Sequence, residues 1–298
     1  MRYDTSDISP AKLHQILLGA ISPRPIAFAS TIDADGQPNL SPFSFFNAFG
    51  VNPTTLIFSP ARRNRDATTK HTYENIKEIP EVVINVVTYD IVQQVSLAST
   101  EYARGVNEFE KAGFTQVASE KIRPFRVGES PVQFECRVRD VIETGEGGGS
   151  ANLIICEVLL THVNEQILDD KGMIDPEKIR LVGRMGGDYY CKAYGDGIFK
   201  VQKPIERLGI GIDRLPETIR LSRWINGNNL GKLGNVEHLP TAAEIAEMMQ
   251  HDQFKMLNIS YPLTNDKEEE IHLMAAKLLD NNMVHEAFCL LMATQTMI

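Results

Sequence analysis

The strongest local concentration of positive charge lies at residues 59–72, which read SPARRNRDATTKHT. Four cations stand against one acid, Asp66, so residues 60–71 carry a net charge of +3 with histidine neutral. The cations are Arg62, Arg63, Arg65 and Lys70. Arginine forks, a lysine charge, threonine hydroxyls and the N-terminus of a following helix together suit a phosphate dianion. The alternative is a solvated loop whose arginines form surface ion pairs.

A second segment, residues 39–49, alternates aromatic rings with hydrogen-bonding groups. Its rings are Phe43, Phe45, Phe46 and Phe49, and its polar residues include Ser41, Ser44 and Asn47. Apolar area combined with hydrogen-bond donors suits a flat heteroaromatic ring. The alternative is a strand that turns its phenylalanines toward the core and its serines toward solvent.

Other catalytic chemistries have little support in the sequence. The histidines show no H-E-x-x-H motif and no Cys-His ligand spacing, so we expect no metal site. His162, at the end of a predicted strand, is a weak catalytic candidate against the simpler interpretation of a structural histidine. The chain has no G-x-S-x-G elbow and no P-loop motif. Its four separated cysteines are expected to be reduced core thiols.

The elements around these segments read mainly as β-strands. Residues 26–32 precede Asp33–Gln37, whose Asp-Gly pair favours a hairpin turn into a second strand. Short apolar runs at 56–59 and 82–87 enclose residues 68–79, which have helical spacing. The cationic segment is therefore predicted to lie in a strand-to-helix connection.

A long antiparallel strand pair is predicted further along the chain. Residues 132–144 alternate apolar and polar side chains, and a second apolar run covers 152–160. The glycine-rich stretch 145–150 between them reads as a loose turn. Because a strand rather than a helix follows it, a dinucleotide-binding Rossmann loop is disfavoured. Strands joined mostly by hairpins favour a barrel over a doubly wound sheet.

After about residue 200 the pattern becomes helical. Thr241–Glu244 forms a capping box. An amphipathic stripe follows at Ile271, Met274, Ala275, Leu278 and Leu279. Gly227 together with residues 230–234 reads as a turn-rich connector. We therefore predict two domains, 1–197 and 198–298, the second a mostly helical extension of unknown role.

Composition and charge are those of a globular chain. Its 298 residues are 43% hydrophobic and 23% charged. The net charge of −9 argues against nucleic acid and anionic membranes as partners. The chain has no signal-peptide pattern and no apolar run of membrane-spanning length, so we expect a cytoplasmic protein.

Seven segments, taken in order, carry a further signal. They are LGAISPRPIAFAST at 18–31, GQPNLSPFSFFN at 36–47, KHTYENI at 70–76, VINV at 83–86, EFEKAGF at 108–114, SPVQFEC at 130–136 and RMGGDY at 184–189. Together they resemble the flavin reductase-like family of FMN-binding split β-barrels. The resemblance implies a mainly β fold with helices (α+β): a split β-barrel of antiparallel strands, followed by the helical C-terminal extension.

The resemblance also implies how the FMN phosphate is held. The family motif reads Lys-Asp-Thr, with an Asn three residues after the Thr. Lys70, Thr72 and Asn75 match it here, while His71 replaces the aspartate. The cationic and hydroxyl donors are thus retained, and only the role of the middle residue changes.

The same resemblance assigns the rest of the flavin site. Ser44–Asn47, which comprises Ser44, Phe45, Phe46 and Asn47, should line the ring and the ribityl chain. Ser59, Pro60, Ala61 and Arg62 should lie near the phosphate. Ser30 and Thr31 should present donors near the ring.

The implied activity is that of an NAD(P)H-dependent flavin reductase, in which hydride passes from NADH or NADPH to flavin N5. This chemistry needs no acid–base pair, which agrees with the missing catalytic triad. The family implies a homodimer with flavin near the subunit interface, and a partner monooxygenase as one consumer of the flavin. The alternatives are a non-enzymatic FMN carrier or sensor and a flavin oxidase of the pyridoxamine-phosphate oxidase type.

Overall fold

The computed structural model describes residues 1–205, 208–257 and 264–295. The chain forms two compact units, residues 1–199 and 200–298. The sequence places the boundary two residues earlier, between 197 and 198. In the described ranges no helix has the length and apolar character needed to cross a membrane.

The first unit is built on antiparallel β-strands. They are β1 (Ala27–Ile32), β2 (Pro38–Phe43), β3 (Phe46–Val51), β4 (Thr54–Phe58), β5 (Glu81–Val86), β6 (Gln116–Val117), β7 (Arg126–Val127), β8 (Val132–Glu143), β9 (Asn152–Val163), β10 (Val182–Arg184) and β11 (Tyr190–Lys192). Seven of them form one sheet in the order β2-β1-β5-β8-β9-β4-β3. The remaining four form two small pairs, β6 with β7 and β10 with β11.

The large sheet is a split barrel. Its two edge strands, β2 and β3, are consecutive in the chain and are joined only by Ser44 and Phe45. A two-residue link can join the two edges only if the sheet curls until they meet. The edges do not hydrogen-bond to each other as a ladder, so the barrel stays open along this seam. The predicted α+β split-barrel fold is confirmed.

Five α-helices accompany the strands of this unit. They are α1 (Pro10–Ala20), α2 (His71–Glu78), α3 (Val92–Leu97), α4 (Glu108–Ala112) and α5 (Pro176–Ile179). Strand β1 shows how they are layered, since its alternate residues face opposite sides. Ala27 and Ala29 pack in the barrel interior with Tyr73 and Ile76 of α2, whereas Phe28 packs in a separate outer cluster. Helix α2 is therefore fixed to the interior, and it holds the end of the cationic segment in place.

The predicted local elements are confirmed where short-range signals were strong. The β1–β2 hairpin turns at Asp33–Gln37, and Gly36 has the positive φ of +81° that its Asp-Gly pair suggested. Strands β8 and β9 form the long antiparallel pair, with Val132 opposite Val163 and Glu143 opposite Asn152.

The second unit is helical. Its helices are α6 (Glu217–Arg220), α7 (Gly227–Gly234), α8 (Ala242–Met248), α9 (Asp252–Lys255), α10 (Asn265–Asp280) and α11 (Val284–Ala293). The capping box at Thr241 and Glu244 is confirmed. In the predicted stripe, Ile271, Ala275, Leu278 and Leu279 are buried in the core of this unit.

One prediction in this unit is wrong. Residues 227–234 form helix α7, not a turn-rich connector. The Asn226 side chain caps the helix by accepting from the Asn229 N–H, and Leu233 is fully buried. Capping and tertiary packing together outweigh the low helix propensity of the three glycines.

Candidate functional site

The cationic segment occupies the connection from β4 to α2, as predicted. Its first residue lies against the barrel seam, because the Ser59 N–H donates to the Phe45 carbonyl over 2.9 Å. Its middle is joined to the β8–β9 turn by the Arg62 N–H, which donates to the Ser150 carbonyl over 2.9 Å. Two separate parts of the barrel, the seam and the β8–β9 turn, therefore position this segment.

Three of the four cations converge on an acid that the sequence did not suggest. Lys70 Nζ and Arg63 Nε lie 2.9 and 3.0 Å from Oε1 of Glu101, and Arg65 Nη2 lies 2.9 Å from its Oε2. The hydrogen bond from Lys70, followed by that from Arg63, lowers the pKa of Glu101 to about 2. Glu101 is therefore an anion throughout the physiological pH range.

The fourth cation, Arg62, pairs with a second acid from a distant strand. Its Nη2 lies 3.5 Å from Glu143 Oε2, and the Tyr73 hydroxyl donates to Glu143 Oε1 over 2.6 Å. That hydroxyl contact is the leading reason that the pKa of Glu143 lies below its ordinary value. With Glu101 and Glu143 counted, the +3 charge of residues 60–71 falls to +1. The tertiary structure thus balances most of the local charge.

Buried polar atoms without partners lie beside the cations. In the described part of the first unit, Ser59 Oγ, Arg62 Nε and Asn152 Oδ1 are buried and form no hydrogen bond. They belong to one neighbourhood, since Asn152 Nδ2 donates to the Pro60 carbonyl over 3.0 Å. Leaving such groups unpaired costs about 1–3 kcal/mol each. A ligand with both anionic oxygens and hydroxyls would satisfy all three, so the residues fit a ribityl phosphate.

The glycine-rich turn between β8 and β9 is packed tightly, not loosely as predicted. A Cβ on Gly148 would stand 2.6 Å from the Asn64 carbonyl oxygen, and one on Gly149 would stand 2.7 Å from Asn64 Oδ1. The Gly149 N–H also donates to the Arg62 carbonyl over 3.1 Å. The glycines let this turn approach the cationic segment closely.

The side chains of the motif Lys70-His71-Thr72 contact three different parts of the fold. Lys70 reaches Glu101, whereas Thr72 is buried and its hydroxyl accepts from Asn39 Nδ2 over 2.9 Å. His71 lines a small crevice against the Asp33–Gln37 hairpin. The structure therefore brings only Lys70 to the cation cluster. One donor of the Lys70 ammonium is taken by Glu101, which leaves two for a ligand.

Ser30 and Thr31 lie on opposite faces of β1, because neighbouring residues of a strand alternate. Both are fully buried. The Thr31 hydroxyl accepts from Asn39 and Asn75, at 3.3 and 3.2 Å, while Ser30 Oγ has no partner in residues 1–205. The structure does not bring these two residues to a common surface.

The predicted ring segment lies at the barrel seam. Ser44 Oγ accepts from the buried Arg24 Nε over 3.3 Å. Phe46 packs against the interior cluster, whereas Phe45 is partly exposed and its ring meets His14 edge-on. Asn47 is exposed. These residues form one continuous edge that borders Ser59 through the Phe45 carbonyl.

His162 is part of a buried structural network. Its Nε2 lies 2.7 Å from Glu135 Oε1, and Glu135 also accepts from the backbone N–H groups of Glu120 and Lys121. Burial raises the pKa of Glu135, but the Glu120 N–H and the His162 ring outweigh it, so the pKa lies below its ordinary value. His162 stands ten residues along β9 from Asn152, roughly 33 Å at the usual strand rise.

A separate cavity of about 280 Å³ lies elsewhere in the first unit. It is lined by Tyr89, Val92, Gln93, Ser96, Val182, Asp188, Tyr190, Cys191 and Lys192. None of the predicted flavin-binding residues lines it. Residues 61–70 of the cationic segment instead lie at the surface, each half-buried or exposed.

Several functional candidates came from outside the predicted set. Glu101, Glu143 and Asn152 all contact the cationic segment across the fold. No motif marks them in the sequence. Only the glycine cluster at 145–149 could have pointed to this part of the site, because glycines allow another backbone to approach closely.

Comparison with known proteins agrees with this geometry. A family model described as "Flavin reductase like domain" matches residues 19–178, more than half of the chain. An uncharacterized protein from Aquifex aeolicus is 36% identical over 201 residues, which is 67% of this chain and 100% of that protein.

Solved structures show the same architecture. Nitrilotriacetate monooxygenase component B from Bacillus cereus is 27% identical with a TM-score of 0.63, covering 67% of this chain and 98% of that chain. A Shewanella frigidimarina chain with a split barrel domain has a TM-score of 0.57 at 22% identity, a likeness in fold alone, and covers 68% of this chain and 99% of its own. From the family match and the Aquifex relative, the chain belongs to the flavin reductase-like domain family, a family of flavin-related oxidoreductases.

Proposed function

We propose that this chain binds FMN at residues 59–72 and transfers hydride from NADH or NADPH to it. The observation that carries the proposal is the set of unpartnered buried atoms on Ser59, Arg62 and Asn152 beside the cation cluster. Membership of the family indicates that the ligand is a flavin. The unpartnered atoms indicate that this ligand carries many oxygens with which they can form hydrogen bonds.

Each part of the segment has a distinct binding role. Lys70 and Arg63 hold the phosphate through charge-assisted hydrogen bonds. Arg62 Nε and the Ser59 hydroxyl donate to ligand oxygens, and Asn152 Oδ1 accepts from a ribityl hydroxyl. When bound, the flavin ring supplies the hydride acceptor, so the protein needs no acid–base pair. The protein contributes orientation and exclusion of water.

We also propose that the ring lies along Ser44–Asn47 and that a second copy of the chain completes the site. Strand β3 is an edge strand, and Phe49 and Val51 on it are 65% and 90% exposed. Exposed apolar side chains on an unpaired edge are typical of an interface. A homodimer formed there would cover the open side of the flavin site.

The downstream consumer of the electrons is proposed to be a separate protein. The Bacillus cereus structure is component B of a monooxygenase, and the word component indicates that this enzyme has at least one further protein. We propose residues 1–197 as the flavin-binding domain, acting in the cytoplasm with a partner monooxygenase.

An absorbance titration tests the proposal. The purified chain, reconstituted with FMN under anaerobic conditions, should lose its flavin absorbance near about 450 nm when NADH or NADPH is added. FMN that stays bound but is not bleached by either nucleotide would indicate a carrier or sensor. Failure to retain FMN would contradict the proposed site.

A further inference from the structure

Glu101 stands where a bound phosphate would find its donors. Its carboxylate takes hydrogen bonds or ion pairs from Lys70, Arg63 and Arg65 within 3.0 Å. Under the proposed function, Lys70 and Arg63 are also the residues that hold the FMN phosphate. One carboxylate and one phosphate therefore draw on the same cations.

The carboxylate of Glu101 forms no hydrogen bond to a backbone group among the described residues. Within the described residues its carboxylate contacts only the cations of the 59–72 segment. The side chain is 39% exposed, in the loop that follows α3. Glu135 differs, because its carboxylate accepts from backbone N–H groups and is fully buried. Glu101 therefore neutralises part of the positive charge of the segment and contributes little to the backbone conformation.

The cations beside Glu101 keep hydrogen-bond donors for a second anion. Lys70 has two further N–H donors, and the Nη2 group of Arg63 forms no hydrogen bond within residues 1–205. A phosphate bound to these donors would share two cations with the carboxylate. Like charges held that close repel each other, and the repulsion lowers the affinity for the dianion.

We propose that Glu101 is an internal competitor for the flavin phosphate, which keeps FMN exchangeable instead of permanently held. This inference rests on the proposed FMN site. In the ligand-free protein the carboxylate balances the clustered cations. When FMN binds, the phosphate must displace or tolerate it, and the same carboxylate recaptures the cations as FMN leaves.

The competition separates FMN from riboflavin. Riboflavin has no phosphate, so it neither displaces Glu101 nor is repelled by it. Glu101 therefore reduces the preference of the site for FMN over riboflavin. This behaviour suits a chain that hands flavin to a second protein, because release then needs no conformational change.

Stopped-flow release of FMN from wild type and Glu101→Gln tests the proposal. The substitution keeps the shape of the side chain and removes its charge. We expect FMN release to slow, and its dissociation constant to fall, by about two- to fivefold, the upper part of the range for loss of one exposed charge interaction. Riboflavin affinity should not change.

Glu78→Gln is the matched control. Glu78 is similarly exposed and lies on α2. Its carboxylate pairs with Arg104 and accepts from the Ala34 N–H, and it does not contact the cation cluster. Its substitution changes the net charge equally, so a specific effect requires that FMN release changes less than about twofold. Thermal unfolding of all three proteins checks that they are folded.

The outcomes separate this inference from the proposed function. Unchanged or faster FMN release in Glu101→Gln, with FMN still favoured over riboflavin in wild type, would overturn the competitor role and leave the FMN site intact. If both wild type and Glu101→Gln bind FMN and riboflavin equally, the phosphate site itself is wrong and the inference fails with it.

Discussion

Two clusters of charged side chains in the first unit, one around Glu135 and one around Glu101, differ in what they leave unsatisfied. Around Glu135, the carboxylate, the His162 ring and two backbone N–H groups satisfy one another in the interior. In the 59–72 segment that Glu101 contacts, the cations keep spare donors, and buried atoms on Ser59 and Arg62 have no partner. A structural cluster closes on itself, whereas a binding site keeps hydrogen-bonding capacity for its ligand.

The two clusters also differ in their exposure to solvent. Glu135 is fully buried, while Glu101 is 39% exposed. The first therefore stabilises the fold, and the second controls what the surface can bind. The two histidine candidates follow the same division: His162 belongs to the closed cluster, and His71 lies at the edge of an open crevice.

The largest effect should come from breaking the closed cluster. Glu135→Ala leaves the Glu120 and Lys121 N–H groups and the His162 ring without their acceptor, which should cost about 3–5 kcal/mol of unfolding free energy. Glu101→Ala should cost less than about 1 kcal/mol. Urea unfolding followed by far-UV circular dichroism measures both, since the single Trp224 reports the other unit. Equal losses would erase the distinction between the clusters.

Removing a cation from the open cluster should affect binding and not folding. Lys70→Ala deletes a charge-assisted hydrogen bond, worth about 1.5–3 kcal/mol, so the FMN dissociation constant should rise about 10- to 100-fold. Lys111→Ala, on the surface of α4, is the control and should leave it unchanged. Fluorescence quenching of FMN reports both values. An effect of the same size on riboflavin would show that Lys70 does not act through the phosphate.

The position of the segment can be changed without touching a charge. Gly148→Ala would press a methyl group against the Asn64 backbone and displace residues 62–64. Gly147→Ala meets only Ser150 Oγ, at 3.9 Å, and is the control. We expect FMN to bind about three- to tenfold more weakly to the first variant only, as for a local shift of about 1 kcal/mol. Equal affinities for the two variants would contradict the positioning role of the turn.

The smallest effect should be on acid stability. The pKa of Glu101, about 2, lies below its ordinary 4.5 because of Lys70 and Arg63. Its contribution to stability is therefore complete above about pH 4.5 and is lost as the pH falls toward 2. Glu101→Gln lacks this contribution, so the stability difference from wild type should narrow between about pH 5 and pH 3. A constant difference over this range would show that these pairs do not stabilise the fold.

Much of the fold follows from local signals. The Asp-Gly turn, the alternation in β8 and the capping box at Thr241 each depend on residues within a few positions of one another. The cationic segment was recognisable for the same reason, since its four cations lie within residues 62–70. Local signals failed at α7, where capping by Asn226 and burial of Leu233 outweigh glycine propensity.

The parts of the site that escaped prediction come from distant parts of the chain. Glu101 lies 31 residues from Lys70, and Asn152 lies 92 residues from Pro60. A charge count along residues 60–71 leaves out Glu101 and Glu143, which come from distant parts of the chain. It therefore overstated the positive charge of the folded site. The family resemblance also assigned Ser30 and Thr31 to one side of the ring, although adjacent strand residues face opposite sides. Pairing across the fold decides which groups remain free.

The most direct test of the central claim is a titration of wild-type protein with FMN and with riboflavin at about 50 and about 300 mM salt. If residues 59–72 hold the phosphate, FMN should bind at least about tenfold more tightly than riboflavin, and the ratio should shrink at the higher salt. Equal dissociation constants for the two flavins, unchanged by salt, would contradict the assignment of this segment as the phosphate site.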